Sequence, residues 1–195
     1  TNMETKVLDI AKIGDPVLRS KTKLIPLKKI KTFQVQNLIN NMIATMHAVN
    51  GAGLAANQVF EPYRLCVLEV LESERYKHLE EIPLKILINP KITIQNKTST
   101  FDSYEGCLSV PNLRGKVKRY SSISVEYYDR EGLFIKEDVS GLNAIVYQHE
   151  IDHLDGFLFT DKVYNNNTLV TYENYLKYYQ DQYHKELNNF INDFE

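Results

Sequence analysis

Six residues, the run QHEIDH at 148–153, constrain this chain more than any other feature. Histidines four positions apart lie on the same side of an α-helix, one turn above the other, so both imidazoles reach a common point if the segment is helical. The stripe continues toward the N-terminus, because Leu142, Val146, His149 and His153 follow one another at steps of four, three and four, with Ile145 beside them. An apolar stripe that also carries the imidazoles predicts a helix whose ligand face is its core-facing side, and hence a site at the floor of a cleft. Glu150 stands ~100° around the helix from His149, near enough to a bound cation to hydrogen-bond its water without being a ligand. A general base needs that position.

The rest of the chain reads as one domain over residues 1–195, long enough for one well-buried core and too short for two. From Val35 the residues Leu38, Ile39, Met42, Ile43, Met46 and Val49 recur at helical spacing, with Thr32 as N-cap and Gly51 as the stop. Short β-rich runs follow at 65–70, 84–88, 122–128 and 133–139, the last two joined by a hairpin at 129–132. The metal helix is expected over 140–156 and a last helix over 169–194. In the last helix Leu169, Tyr172, Leu176, Tyr179, Tyr183, Leu187, Phe190 and Phe194 are assigned to one core-packing face. The expected class is α+β, with mixed short β-sheets packed around a central metal-binding helix, an N-terminal helix and a long C-terminal helix.

Composition narrows the function classes. A hydrophobic fraction of 43% and a charged fraction of 25% are ordinary for a globular protein. No apolar run approaches the roughly 18 residues of a membrane span, so no membrane partner is expected. Cys66 and Cys107 cannot form the disulfide framework of a small secreted domain, and a reducing compartment fits them. Arg19, Lys21, Lys23, Lys28, Lys29 and Lys31 form a basic stretch without an acid, against a net charge of -2. The 71–83 stretch reads as an exposed excursion between strands.

A hydrolytic metal site takes three protein ligands and keeps one position open, so the two histidines need a third partner. Cys107, in the glycine-flanked segment EGCLS, is the preferred choice, whereas Cys66, in the apolar run RLCVLEV, reads as an inert core residue. Two alternatives stay open on spacing alone. Glu173 stands where a zinc endopeptidase of the H-E-x-x-H type takes its third ligand, and Cys66 with Cys107 and both histidines would close a structural zinc site.

Three segments taken in order, GAGLAANQ at 51–58, EGCLS at 105–109 and QHEIDH at 148–153, resemble the three signature motifs of the peptide deformylase family, and the layout resembles that family over nearly the whole chain. The resemblance implies that Cys107, His149 and His153 bind one divalent metal and that Glu150 shuttles the proton. It further implies that Gln58 and the backbone N–H of Leu108 stabilise the oxyanion, and that Gly53 pairs with the bound peptide. Leu142, Ile145 and Val146 would then shape a methionine pocket, Arg114 would lie near the substrate, and Glu105 would orient the site from behind the ligands. Family members remove the formyl group from the N-terminal methionine of new polypeptides, releasing formate. The native ion expected is Fe2+, with Zn2+, Co2+ or Ni2+ able to replace it at a mixed thiolate and imidazole site.

The chain departs from the pattern at two places. Asn50 stands where bacterial relatives often carry an acid, which puts an ion pair to Arg114 in doubt. Bacterial deformylases dock on the ribosome through a basic C-terminal extension, but here Glu173, Asp181, Glu186, Asp193 and Glu195 outweigh Lys177 and Lys185. Ribosome docking is therefore expected on the basic 19–31 segment, without sequence-specific nucleic-acid binding. Thr1 in place of an initiator Met, together with abundant asparagine, tips the expected location toward an organelle of bacterial origin over a bacterial cytoplasm.

Overall fold

The computed structural model describes residues 4–71 and 80–194, so most of the 71–83 excursion lies outside the described residues. The first helix, α1 (Phe33–Ala48), begins at Thr32, whose hydroxyl accepts from the Val35 N–H, and closes just ahead of Gly51. Five antiparallel strands follow the order β1-β2-β3-β6-β7, namely Gly53–Ala55, Leu65–Val70, Ile82–Ile94, Ser122–Tyr128 and Phe134–Ser140. A second sheet pairs β4 (Thr100–Cys107) with β5 (Val110–Tyr120) and β5 with β8 (Val170–Thr171). The metal helix expected from the sequence is α2 (Asn143–Leu154). After α3 (Phe159–Lys162), the C-terminal run is α4 (Tyr172–Asn174), a π-helical turn at Tyr175–Tyr179, and α5 (Gln180–Phe194).

The five-stranded sheet is covered on both faces, which explains why β2 reads as an unbroken apolar run rather than an alternating one. Leu65, Val67, Ile86 and Ile88 pack on Ile39, Met42 and Met46 of α1. Cys66, Leu68, Val70 and Leu87 point the other way, into a core with Ala144, Tyr147, Ile151 and Leu154 of α2. Each fully buried aliphatic side chain of this kind contributes about 1.5–3 kcal/mol. Helix α2 also packs against β5 of the second sheet and against β1, so it sits between the two sheets at the centre of the fold. No helix among the described residues is long and apolar enough to cross a membrane.

Most expected elements stand, with three differences. The run at 84–88 extends to Ile82–Ile94, because Asn89 adopts a φ of 55° before Pro90 and a register shift between Ile88 and Lys91 lets pairing resume. Strands β4 and β5 were not expected. Their charged residues Asp102, Lys116, Lys118 and Arg119 hide the β signal, although the two form one long hairpin from Thr100↔Tyr120 to Cys107↔Val110. The last helix starts three residues later than 169 and contains a π turn, whose extra residue rotates everything after it. Tyr175, Tyr183 and Leu187 therefore turn inward together, whereas Tyr172, Leu176 and Tyr179, placed on the inner face by simple periodicity, are 42%, 43% and 39% exposed.

Candidate metal centre and substrate cleft

Two elements deliver the three ligand candidates. His149 and His153 come from consecutive turns of α2, and Cys107 comes from the end of β4, where a register shift between Glu105 and Cys107 breaks the hairpin pairing. Cys107 Sγ lies 3.4 Å from His153 Nε2, which lies 3.3 Å from His149 Nε2. A tetrahedral ion at ordinary zinc-type bond lengths separates its nitrogen and sulfur ligands by about 3.3–3.6 Å, so these three atoms fit one cation. Among the described residues they are the only group of three or more such side chains gathered closely enough to hold a metal. Neither Cys66 nor Glu173 belongs to it, which removes the fourth ligand of a structural site and the third ligand of an endopeptidase. Cys66 is instead fully buried on β2, as expected for a core cysteine.

The donor chemistry agrees with the geometry. Burial alone would raise the Cys107 thiol, yet the facing His153 and His149 hold it well below its ordinary value. His149 is raised well above the ordinary imidazole value, because hydrogen bonds to Cys107 and Glu105 outweigh the penalty of burial. A cation would replace that shared proton.

Behind the ligands stands a chain of charges. Glu105 Oε1 accepts from His149 Nδ1 at 2.9 Å, which directs Nε2 toward the cysteine. Arg119 grips Glu105 through two bonds of 2.7 Å and reaches Asp152 at 2.6 Å. Burial opposes ionisation of Glu105, but Arg119 and His149 prevail and hold it down to about 2. Glu105 was expected in this role. Arg119 and Asp152 were missed, since nothing local in the sequence shows that the β4–β5 hairpin folds Arg119 back onto Glu105.

Glu150 is buried beside the ligands, and its Oε2 has no hydrogen-bond partner in the protein. Such an orphaned oxygen is rare unless a water or ligand completes it. Burial raises its pKa, while His149 and His153 oppose the rise. The Glu150 side chain lies against Gly53 so closely that a Cβ there would come within 2.6 Å of its Cγ. Gly53 thus has a reason for its identity apart from peptide binding. It also opens β1, the edge strand of the five-stranded sheet, and an edge can accept an extended peptide.

Gln58 is fixed by its own backbone region, Oε1 accepting from the Ala55 N–H at 2.9 Å. Its Nε2 is thereby aimed at Cys107 Sγ, 3.6 Å away, and donates to Ser109 Oγ at 3.1 Å. Ser109 was another residue sequence reasoning passed over, although it closes the EGCLS segment. The Leu108 carbonyl accepts from Lys12 Nζ at 3.0 Å, which braces the peptide between Leu108 and Ser109.

These groups open into one cavity of about 550 Å³, within the range that buries a ligand of several residues. Leu142, Ile145, Val146, Gly53, Leu108 and Arg114 all line it, so every expected cleft residue is gathered there. Arg114 stacks over the Tyr172 ring at 4.3 Å and covers Gly106, where an added Cβ would meet Arg114 Nη1.

Comparison with known proteins agrees with the site. A family model described as polypeptide deformylase matches residues 7–168. Peptide deformylase 2 of Nostoc sp. is 40% identical over 173 residues, which cover 89% of this chain and 95% of the relative. The chloroplastic peptide deformylase 1A of Solanum lycopersicum is 41% identical, the match covering 80% of this chain and 59% of the relative. Among solved structures, a Met-Ala-Ser-bound class I type b peptide deformylase from Acinetobacter baumannii superposes with a TM-score of 0.78 at 31% identity, covering 82% of this chain and all of the other. An actinonin complex of the enzyme from Synechococcus elongatus gives 0.70 at 31% identity and covers 99% of this chain. With its metal centre, fold and sequence all in agreement, the chain belongs to the peptide deformylase family of metal-dependent hydrolases.

Proposed function

We propose that Cys107, His149 and His153 hold one divalent cation, and that the chain uses it to remove the N-formyl group from the formyl-methionine of nascent polypeptides. The observation that carries this reading is the 3.3–3.4 Å spacing of the three ligand atoms beside the unpartnered carboxylate oxygen of Glu150. A bound cation supplies Lewis-acid activation of water, making it nucleophilic near neutral pH. Fe2+ is the ion we assign, with Zn2+, Co2+ or Ni2+ compatible with the same donors.

The chain's own groups then divide the work. Glu150 accepts the water's proton as the oxygen–carbon bond to the formyl carbon forms, and negative charge moves onto the formyl oxygen. Gln58 Nε2 and the Leu108 N–H donate to that oxygen, an arrangement worth about 3 kcal/mol per donor in comparable acyl-transfer sites. Glu150 passes its proton to the nitrogen as the carbon–nitrogen bond breaks, leaving formate and a free methionyl amine. Glu105 and Arg119 do not touch the reacting atoms, and keep His149 oriented. The peptide lies along the β1 edge at Gly53, with Leu142, Ile145 and Val146 against the unbranched thioether and Arg114 at the mouth.

Formate release from a formyl-Met peptide by protein loaded with ferrous ion under anaerobic conditions tests the reading. Loss of release in Glu150→Ala is the expected result, and release surviving that substitution overturns the mechanism.

Two further assignments belong to this reading. Nascent-chain access is attributed to ribosome docking through residues 19–31, where Lys21, Lys23, Lys28 and Lys29 are exposed while Arg19 and Lys31 pair with Asp161 and Glu131. Binding that is insensitive to salt, or to neutralising those four lysines, would remove it. The chain is assigned to an organelle of bacterial origin, in keeping with its chloroplastic and cyanobacterial relatives. Imaging of the tagged full-length protein checks that location.

A further inference from the structure

The residues that shape the cleft extend beyond 168, where the family model match ends. Tyr175, Tyr183 and Leu187 form one apolar cluster with Leu142, and Ile145 packs against it. All five line the same cavity as Cys107 and Glu150. The C-terminal run thus completes the wall of this cavity where it packs on Leu142 and Ile145.

Several observations make this a built wall. Tyr183 and Leu187 are 8% and 7% exposed, too buried for casual surface lining. The Tyr183 ring meets Tyr104 edge-on at 5.2 Å, and Tyr104 in turn meets Tyr175 at 5.1 Å. The Tyr183 hydroxyl lies 3.4 Å from Ser103 Oγ, which fixes the ring on β4 two residues before Glu105. The π turn at Tyr175–Tyr179 brings the three residues to one side, for the uninterrupted periodicity would have turned Leu176 inward in place of Tyr175.

We infer that Tyr183 and Leu187 set the depth of the pocket for the first side chain of the substrate, and so determine which N-formyl residue is accepted. This rests on the deformylase reading of the site. Leu187 is the adjustable element, since it carries no polar partner and lines the cavity, so its truncation enlarges the space there. Tyr183 is held on two sides and acts as the fixed floor. A methionine side chain resting on Leu142 and Ile145 would meet Tyr183 and Leu187 where they pack against that stripe, and the broader formyl-Phe ring would meet the Leu187 branch sooner.

The test compares kcat/KM for formyl-Met-Ala-Ser, formyl-Phe-Ala-Ser and formyl-Ala-Ala-Ser with metal-loaded wild type, Leu187→Ala, Leu187→Phe and Leu176→Ala. Leu187→Ala is expected to lower the Met-to-Phe preference by about tenfold or more, the scale on which an apolar pocket senses a change of a few carbons. Leu187→Phe should depress formyl-Met turnover more than that of formyl-Ala-Ala-Ser. Leu176→Ala, on the same run but outside the cavity, should leave the ratios unchanged. Thermal melting of each variant separates lost folding from altered choice, because a ratio between two substrates does not depend on the active fraction. Unchanged ratios in both Leu187 variants, with wild type active, would overturn the wall assignment alone. Wild type inert toward every N-formyl peptide would instead overturn the deformylase reading, and the inference with it.

Discussion

Gly53 and Glu150 share a space that admits no methyl group, since a Cβ on Gly53 would stand 2.6 Å from Glu150 Cγ and 2.8 Å from Oε1. The first residue of an edge strand thereby fixes the side chain we assign to proton transfer. Gly53→Ala must displace Glu150 or the strand, and a shift of about 1 Å in a reacting group lowers turnover on the order of a hundredfold. Overpacking of this kind costs about 1–3 kcal/mol. Formate release and thermal melting of the variant check both figures. A folded Gly53→Ala protein with wild-type turnover would show that this contact does not position Glu150.

Glu150 is buried with an unpartnered oxygen, and burial raises its pKa above the ordinary 4.5. Its ionised form therefore destabilises the metal-free fold, and does so only where the unfolded chain would be ionised. Glu150→Gln is expected to stabilise the apoprotein by about 1 kcal/mol near neutral pH, as removal of a strained functional charge often does. The gain should shrink as the pH falls to 4.5 and vanish below it, where the unfolded chain also binds the proton. Activity should fall by about 10²–10⁴. Urea unfolding at pH 7 and pH 4.5, beside formate release, measures the exchange, and a destabilised Glu150→Gln apoprotein at pH 7 would contradict it.

What could be read from sequence follows the range of the interactions. His149, Glu150 and His153 were legible because helical periodicity is local, and one turn brings them together without help from the rest of the chain. Thr32 and the hairpin at 129–132 were legible for the same reason. The β4–β5 hairpin was not, because a buried Arg119 that grips Glu105 across 14 positions looks in sequence like one more charged, solvent-facing residue. The inward turn of Tyr175 was also hidden. A π turn inserts one residue into the 3.6-residue count, and only packing against Tyr104 and Leu142 reveals that it has done so.

The two cysteines should differ sharply in reactivity. Cys107 is partly accessible and held toward thiolate by His153 and His149, whereas Cys66 is fully buried and its thiol is pushed up by burial. Iodoacetamide treatment of the folded, metal-free protein is expected to modify Cys107 alone, and metal loading should suppress the reaction by occupying the sulfur. Peptide mapping by mass spectrometry decides the matter. Modification of Cys66 at a comparable rate, or no protection of Cys107 by Zn2+, would contradict the assignment of Cys107 as the third ligand. Cys107→Ser should also bind metal at least tenfold more weakly, because a hydroxyl does not ionise where a thiol does.

Glu105 gives the apoprotein a defined acid limit. Its pKa is held at about 2 in the fold against an ordinary 4.5, so the unfolded chain binds the proton first as the pH falls. The stabilisation is then complete well above pH 4.5 and is lost as the pH falls through 4.5 toward 2, amounting to about 3 kcal/mol on the usual linkage relation. Glu105 is buried, so solvent screens little of this. In Glu105→Gln the unfolding free energy of the metal-free protein should be lower at pH 6 and should change less between pH 6 and pH 3 than in wild type. Other carboxylates contribute equally to both proteins, and the difference between the two slopes isolates Glu105. Parallel curves would mean that the Arg119 pair does not depress this carboxylate. Metal retention supplies a second readout, since freeing His149 Nδ1 from its acceptor should weaken metal binding by about 10–100-fold.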